Sequence, residues 1–188
     1  MEQVTGLVLA GGRGDRMGGA DKGWVVHEGR PLIVSVVERF APQVGSLLIS
    51  ANRNIERYAT LGTVVQDDSA LYEPFAGPLI GILSGLRNAH TDWIATVPCD
   101  APHLPSDLVQ RLMTALSVDG APAACVRIDD RLQPVFALVS TQLTDDLAKA
   151  IAAGERAIRR WLESIGVLPV DFDDARAFAN INSSDNAS

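Results

Sequence analysis

The stretch from Thr5 to Lys22, TGLVLAGGRGDRMGGADK, constrains the fold most, because a short apolar run leads directly into a glycine-rich loop. The run from Val4 to Ala10 has the length and branching of a strand buried on both faces of a parallel sheet. Five glycines follow between Gly11 and Gly19. Glycine permits sharp turns and lets an anion approach backbone N–H groups, so the stretch predicts a phosphate-binding loop. Its positive charge comes from Arg13, Arg16 and Lys22.

Two familiar glycine loops do not fit this stretch. The dinucleotide fingerprint requires a glycine at its sixth position, where counting from Gly12 gives Met17. The P-loop requires a glycine before its lysine, and Lys22 follows an aspartate. A structural glycine turn with surface arginines remains the alternative. Lys22 favours phosphate binding, because a compact ammonium suits point-charge contact with phosphate and the chain has only one other lysine, Lys149.

Apolar strands alternate with amphipathic helices along the chain, which predicts an α/β, Rossmann-like three-layer fold with a mostly parallel, mixed central sheet. The link at 129–131 is too short for a crossover helix, so we expect the strands on either side of it to be antiparallel neighbours. The predicted strands cover residues 4–10, 46–51, 64–65, 92–97, 123–127, 133–139 and 167–172. The predicted helices begin near Pro31, Asn52 or Asn54, Leu79, Ser106, Leu143 and Ala157.

Length and composition narrow the class of protein. With 188 residues and 47% hydrophobic content, we expect a single domain over 1–188, with a flexible tail after about 184. The net charge of -7 argues against nonspecific nucleic-acid binding. The chain shows neither a signal-type leader nor an apolar segment of spanning length, so we expect a cytoplasmic protein. Cys99 and Cys125 stand in apolar contexts and are expected to be buried and reduced.

Polar residues follow several predicted strands at the point where each strand ends. Gly11, Asp67 and Asp100 would all lie at the carboxyl edge of the sheet, where open parallel sheets bind ligands. Asp100 stands in the sequence PCDAP, and its carboxylate suits magnesium, which often shares its coordination shell with substrate phosphates. A turn-forming aspartate between two prolines is the alternative interpretation. The loop at Gly11 favours the magnesium site.

Several motifs together resemble the nucleotidyltransferases that build activated sugars and cofactors, in particular the molybdenum cofactor guanylyltransferases of the MobA type. The loop LAGGRGDRMGG with its Asp-Lys pair is the most specific match. The other motifs, in matching order, are SANRN at 50–54, QDD at 66–68, GPLIG at 77–81, PCDAP at 98–102, AGER at 153–156 and NIN at 180–182. The resemblance covers most of the chain and implies an enzyme that takes GTP, magnesium and molybdopterin.

The resemblance also implies roles for individual residues. It makes Lys22 and Asp100 catalytic, with Asp100 as the metal ligand. The nucleotide-binding set that it implies is Leu9, Ala10, Gly11, Gly12, Arg16, Lys22, Ser50, Asn52, Asp67 and Asp100. It implies contacts with the pterin substrate for Arg156, Asn180 and Asn182. The chain departs from the family at Ser50, where an asparagine is expected. Asn52, two residues later, would lie on the same face and could substitute only if the strand extends that far.

The implied reaction is attack by the terminal phosphate of molybdopterin, or of its metal-loaded form, on the α-phosphorus of GTP, with release of pyrophosphate. Three alternatives stay open. One is a cytidylyltransferase acting on the same cofactor or on a sugar-like phosphate. Another is a nonenzymatic molybdopterin carrier, and the third, disfavoured by the absent P-loop, is a GTPase switch. Expected partners beyond the substrates are transient contacts with cofactor-synthesis proteins or molybdoenzyme targets.

Overall fold

The computed structural model describes residues 3–11, 21–67 and 77–181. In these residues, seven strands form one sheet in the order β5-β4-β1-β6-β8-β7-β9, and β2 pairs with β3 in a small separate hairpin. The strands are β1 (Val4–Leu9), β2 (Val26–His27), β3 (Arg30–Pro31), β4 (Ser46–Ser50), β5 (Thr63–Val65), β6 (Trp93–Pro98), β7 (Ala123–Ile128), β8 (Arg131–Ser140) and β9 (Leu168–Asp171). The strands predicted from the sequence are therefore confirmed to within two residues at each end.

The helices cover both faces of the large sheet. They are α1 (Leu32–Phe40), α2 (Ile55–Tyr58), α3 (Pro78–Asn88), α4 (Leu108–Asp119), α5 (Thr144–Ala152) and α6 (Ile158–Ser164). Two apolar cores result, one with α1 and α4 and the other with α3, α5 and α6. The successive residues Leu7 and Val8 enter opposite cores, because side chains alternate along a strand. The predicted three-layer architecture is confirmed, and β1 is buried on both faces.

One strand runs against the others in the large sheet. β8 is antiparallel to both β6 and β7, whereas the remaining neighbours pair in parallel. The turn between β7 and β8 contains Asp129 and Asp130 with φ of 46° and 59°. Aspartate tolerates this left-handed region better than most residues, which allows a two-residue hairpin link. The mixed sheet predicted from the short 129–131 link is confirmed, although Arg131 already belongs to β8.

The residues before two helices make contacts that differ from simple caps. Asn54 precedes α2 as predicted, but with φ of 52° its side chain makes no cap bond, and its amide instead donates to Asp21. α4 begins at Leu108, two residues after the predicted Ser106, and the side chain of Gln43 accepts the N–H of Val109 at 3.1 Å. One N–H at the start of α4 is therefore satisfied by a residue distant in sequence, which local cap patterns do not reveal.

The two thiols are free and buried, as predicted for Cys99 and Cys125. Burial raises the pKa of both thiols, that of Cys125 to about 12, so both stay protonated at neutral pH. Among the described residues, no helix is both long and apolar enough to cross a bilayer.

Candidate active site

The carboxyl ends of four parallel strands are joined by backbone hydrogen bonds. The N–H of Ala10 donates to the carbonyl of Ser50 at 2.9 Å, and the N–H of Cys99 donates to that of Leu9 at 3.2 Å. The N–H of Ala51 donates to Val65 at 3.1 Å. These bonds extend the pairing past the ends of β1, β4, β5 and β6. The predicted site residues that follow these strands therefore emerge at one edge of the sheet.

Lys22 and Asp100 form an ion pair at this edge. The Nζ of Lys22 contacts Oδ2 of Asp100, whose residue is only 6% exposed. The other oxygen, Oδ1, is buried and has no hydrogen-bond partner in the described part of the chain. A buried carboxylate oxygen without a donor is costly, and a ligand can remove that cost. The structure thus brings together the two residues that the sequence marks as catalytic.

Asn52 and Asp67 form the second polar pair. The side-chain amide of Asn52 donates to Oδ2 of Asp67 at 2.7 Å and accepts the backbone N–H of Asp67 at 2.9 Å. Burial raises the pKa of the Asp67 carboxyl, and the bond from Asn52 partly offsets this. Its Oδ1 is buried without a partner among the residues described. Asp67 is therefore held in one orientation with one oxygen available.

Each of these carboxylates leaves one oxygen of the kind that magnesium binds. Magnesium prefers hard oxygen ligands and is usually bound by one or two carboxylates, with water and substrate phosphates completing the shell. The orphaned oxygens of Asp100 and Asp67 offer such ligands. Within the described ranges, no cluster of three or more His, Cys, Asp or Glu side chains could hold a metal unaided. The donor set therefore suits a cation that arrives with nucleotide phosphate rather than a closed structural metal site.

Ser50 and Asn52 differ in what their side chains contact. Ser50 is 2% exposed, and a Cβ built on Gly81 would lie 2.5 Å from its hydroxyl. A Cβ on Gly11 would lie 3.5 Å from the Asn52 amide nitrogen. Ser50 lies in the contact between β4 and α3, and its hydroxyl also lies 3.8 Å from the same Gly11 position, so both side chains border Gly11. β4 ends at Ser50, so Asn52 does not continue the strand. Nucleotide contact by either residue stays a prediction.

The residues predicted for the pterin side are spread over two elements. The Arg156 guanidinium donates to the carbonyls of Ile151 and Glu155 at 2.8 and 2.7 Å. The backbone carbonyl of Arg156 would lie 3.7 Å from a Cβ built on Gly77, just before α3. Asn180 is exposed and lines a pocket of about 340 Å³ with other residues from β8 and the C-terminal segment. The N–H of Ile181 donates to the backbone carbonyl of Asp100 at 2.9 Å, which brings this segment to the ion pair. Gly12, Arg16 and Asn182 lie outside the described residues.

Comparison with known proteins gives the family that the sequence motifs resemble, and the match extends over nearly the whole chain. The family described as the MobA-like NTP transferase domain matches residues 6–169. The chain belongs to this family. A molybdenum cofactor guanylyltransferase from Cupriavidus pinatubonensis is 47% identical over 189 residues, covering 98% of this chain and 94% of the relative. One from Burkholderia ambifaria is 48% identical, covering 96% and 91%.

Solved structures share the MobA-like fold. Molybdopterin-guanine dinucleotide biosynthesis protein A from Archaeoglobus fulgidus superposes with a TM-score of 0.77 at 25% identity, covering 97% of this chain and 94% of that one. A 4-diphosphocytidyl-2C-methyl-D-erythritol synthase from Anaerococcus prevotii reaches 0.74 at 12% identity, covering 97% and 92%. At 12% identity, the similarity to the Anaerococcus prevotii protein shows a shared fold and carries no conclusion about activity.

This MobA-like site contains a polar cluster that sequence reasoning missed. The Asp21 side chain accepts a hydrogen bond from the Tyr58 hydroxyl at 2.6 Å and another from the Asn54 amide at 2.8 Å. The Arg53 guanidinium lies 3.8 Å from the same carboxylate. We call Asp21, Asn54 and Tyr58 the Asp21 anchor. The sequence signal for this cluster was Tyr58 itself, because a buried tyrosine hydroxyl needs a hydrogen-bond partner.

Proposed function

We propose that this protein transfers GMP from GTP to the terminal phosphate of molybdopterin, releasing pyrophosphate and forming the guanine dinucleotide cofactor. The single observation that carries the proposal is the ion pair between half-buried Lys22 and buried Asp100, at the carboxyl edge of the sheet. Near full-length similarity to molybdenum cofactor guanylyltransferases supports the choice of both substrates.

The nucleophile needs no general base from the protein. A phosphate monoester has a second pKa near 6, so the terminal phosphate of molybdopterin is largely a dianion at neutral pH. One of its oxygens forms a bond to the α-phosphorus of GTP, and the bond from that phosphorus to the bridging oxygen of the β-phosphate breaks. The electron pair leaves with pyrophosphate, and no proton has to move. The site must therefore position two anions and neutralise their charge.

Each residue of the site has a part in this work. Lys22 balances the charge that shifts towards pyrophosphate, while the N–H groups of the loop from Gly11 hold phosphate oxygens. Asp67, held by Asn52, orients the nucleoside side. Magnesium, which Asp100 would hold, supplies Lewis-acid neutralisation of the phosphates when it is bound. The free Oδ1 of Asp100 supports this role, because Lys22 occupies only the other oxygen.

The test is incubation of the purified protein with molybdopterin, magnesium and each of GTP, CTP, ATP and UTP in turn. Pyrophosphate release and the mass of the product are followed. We expect pyrophosphate and a guanine dinucleotide with GTP, and no product when magnesium is removed by chelation. A preference for CTP would make the protein a cytidylyltransferase and would overturn the proposal.

Two further outcomes separate the remaining alternatives. Binding of molybdopterin without magnesium-dependent pyrophosphate release would identify a carrier. GDP and free phosphate as products would identify a GTPase. As part of the same proposal, the protein acts in the cytoplasm and hands its product to molybdoenzymes through transient contacts; a stable complex with one target enzyme in a pull-down would contradict that.

A further inference from the structure

We propose that Asp21 is a positioning residue whose hydrogen bonds from Tyr58 and Asn54 fix Lys22 for nucleotidyl transfer. This inference rests on the proposed function. It goes beyond the phosphate-binding role of Lys22, because it assigns a role to the aspartate that precedes the lysine, to Asn54 just before α2 and to Tyr58 at the end of α2.

The Asp21 carboxylate is buried and satisfied at both oxygens. Its side chain is 6% exposed. Oδ1 accepts from the Tyr58 hydroxyl at 2.6 Å, and Oδ2 accepts from the Asn54 amide at 2.8 Å. A buried carboxylate is costly unless it is hydrogen-bonded or paired, so these partners determine where Asp21 lies. Asp21 directly precedes the turn over Lys22–Trp24, so its position bears on the lysine.

The backbone transmits the position of Asp21 to Lys22. The N–H of Trp24 donates to the Asp21 carbonyl at 3.0 Å, and the N–H of Val25 donates to the Lys22 carbonyl at 3.2 Å. One tight helical turn over Lys22–Trp24 results. Its start is therefore fixed by the Asp21 anchor, one residue before the lysine.

Side-chain packing holds the other side of this turn. A Cβ on Gly23 would lie 2.6 Å from the Tyr58 hydroxyl, so only glycine allows this approach. The rings of Trp24 and Tyr58 lie 5.2 Å apart, and the Arg57 guanidinium lies 3.8 Å above the Trp24 ring. Tyr58 is thus the common contact of the turn and of the Asp21 carboxylate.

Lysine needs this support because its side chain has about four rotatable bonds and loses much conformational entropy when it is fixed. Tyr58 stays a hydrogen-bond donor throughout the working range, since burial, and then its bond to Asp21, raise its pKa well above the usual value. Loss of the bonds from Tyr58 and Asn54 to Asp21 would leave Lys22 in the cleft but displace its ammonium from the charge that develops on pyrophosphate in the transition state.

The experiment measures steady-state turnover with GTP, molybdopterin and magnesium for Tyr58→Phe and Asn54→Gly, each made in the wild-type and Lys22→Ala backgrounds. Phenylalanine keeps the ring and removes only the hydroxyl. Glycine accepts the left-handed backbone at position 54, where φ is 52°, and removes the side chain with its amide. Thr60→Val is the matched control, because Thr60, two residues after α2, donates its hydroxyl to the Arg57 carbonyl and has no bond to Asp21.

We expect each anchor variant to lower kcat about tenfold in the wild-type background, with KM for GTP changed by less than about twofold. In the Lys22→Ala background the same substitutions should change kcat by less than about twofold, because they act through the missing ammonium. Thr60→Val should match the wild type in both backgrounds. Equal losses in the two backgrounds, or no loss in either, would overturn the inference. Failure of the wild type to release pyrophosphate would instead refute the proposed function.

Discussion

The side chain of Asn52 makes two hydrogen bonds with Asp67. It donates to the Asp67 carboxylate at 2.7 Å and accepts the backbone N–H of Asp67 at 2.9 Å. This leaves Oδ1 of Asp67 as a buried oxygen with no partner in the described part of the chain. Asn52 follows β4 and Asp67 follows β5, so the bond joins neighbouring strand ends. The part of the cleft that we propose to bind the nucleotide is thereby fixed by contacts within the protein.

Replacing Asn52 by alanine removes both bonds to Asp67, and we expect it to raise KM for GTP. Hydrogen bonds to charged groups contribute about 1.5–3 kcal/mol, so the increase should be about 10- to 100-fold. The measurement is KM for GTP at saturating molybdopterin, with kcat recorded alongside. Asn88→Ala is the control, since it removes an amide bond to Ser84 within α3. An unchanged KM for Asn52→Ala would show that Asp67 needs no support.

Replacing Lys22 by alanine tests the charge that balances the leaving group. Loss of one preorganised charge stabiliser costs about 2–4 kcal/mol, so kcat should fall about 30- to 1,000-fold. Lys149→Ala is the matched control, because it removes the only other lysine from an exposed position on α5. The measurement is magnesium-dependent pyrophosphate release. Wild-type turnover in Lys22→Ala would exclude the proposed role.

The sequence was sufficient for the fold and for the main residues at the strand ends. Continuous apolar runs mark β1, β4 and β6, because both faces of these strands are buried. Polar residues directly after parallel strands meet at one edge of the sheet. This reasoning placed Lys22 with Asp100 at one cleft, and the structure joins them directly.

The remaining contacts could not be read from the sequence because they join residues far apart in the chain. The Asp21–Tyr58 bond spans 37 residues, and the Gln43–Val109 bond spans 66. Asn54 resembles a helix cap locally, yet its left-handed backbone turns the amide towards Asp21. Local rules assign such residues to turns and caps, whereas tertiary contacts decide which partner they bond.

Replacing Gly81 by alanine should destabilise the protein. The new Cβ would lie 2.5 Å from the Ser50 hydroxyl and 3.1 Å from a methyl carbon of Leu9, and overpacking of this kind typically costs about 1–3 kcal/mol. The measurement is the free energy of unfolding in urea. Adding Ser50→Gly should restore part of the loss, because it removes the hydroxyl and its carbon. Full stability of Gly81→Ala alone would show that α3 can shift away from β4 freely.

Glu155 should make stability depend on acid pH. Hydrogen bonds from Arg160, and then from the backbone N–H groups at the start of α6, lower the pKa of its carboxyl to about 2 from 4.5. A lowered pKa means that the folded state favours the charged form, so this stabilisation is full above about pH 4.5 and is lost as the pH falls towards 2. Glu155→Gln should therefore lower the urea midpoint at pH 7, and the difference from wild type should shrink below pH 4. Glu163→Gln, which breaks the exposed pair with Arg159 on the same helix, is the control. A difference that stays constant from pH 7 to 3 would mean that the Glu155 charge contributes nothing.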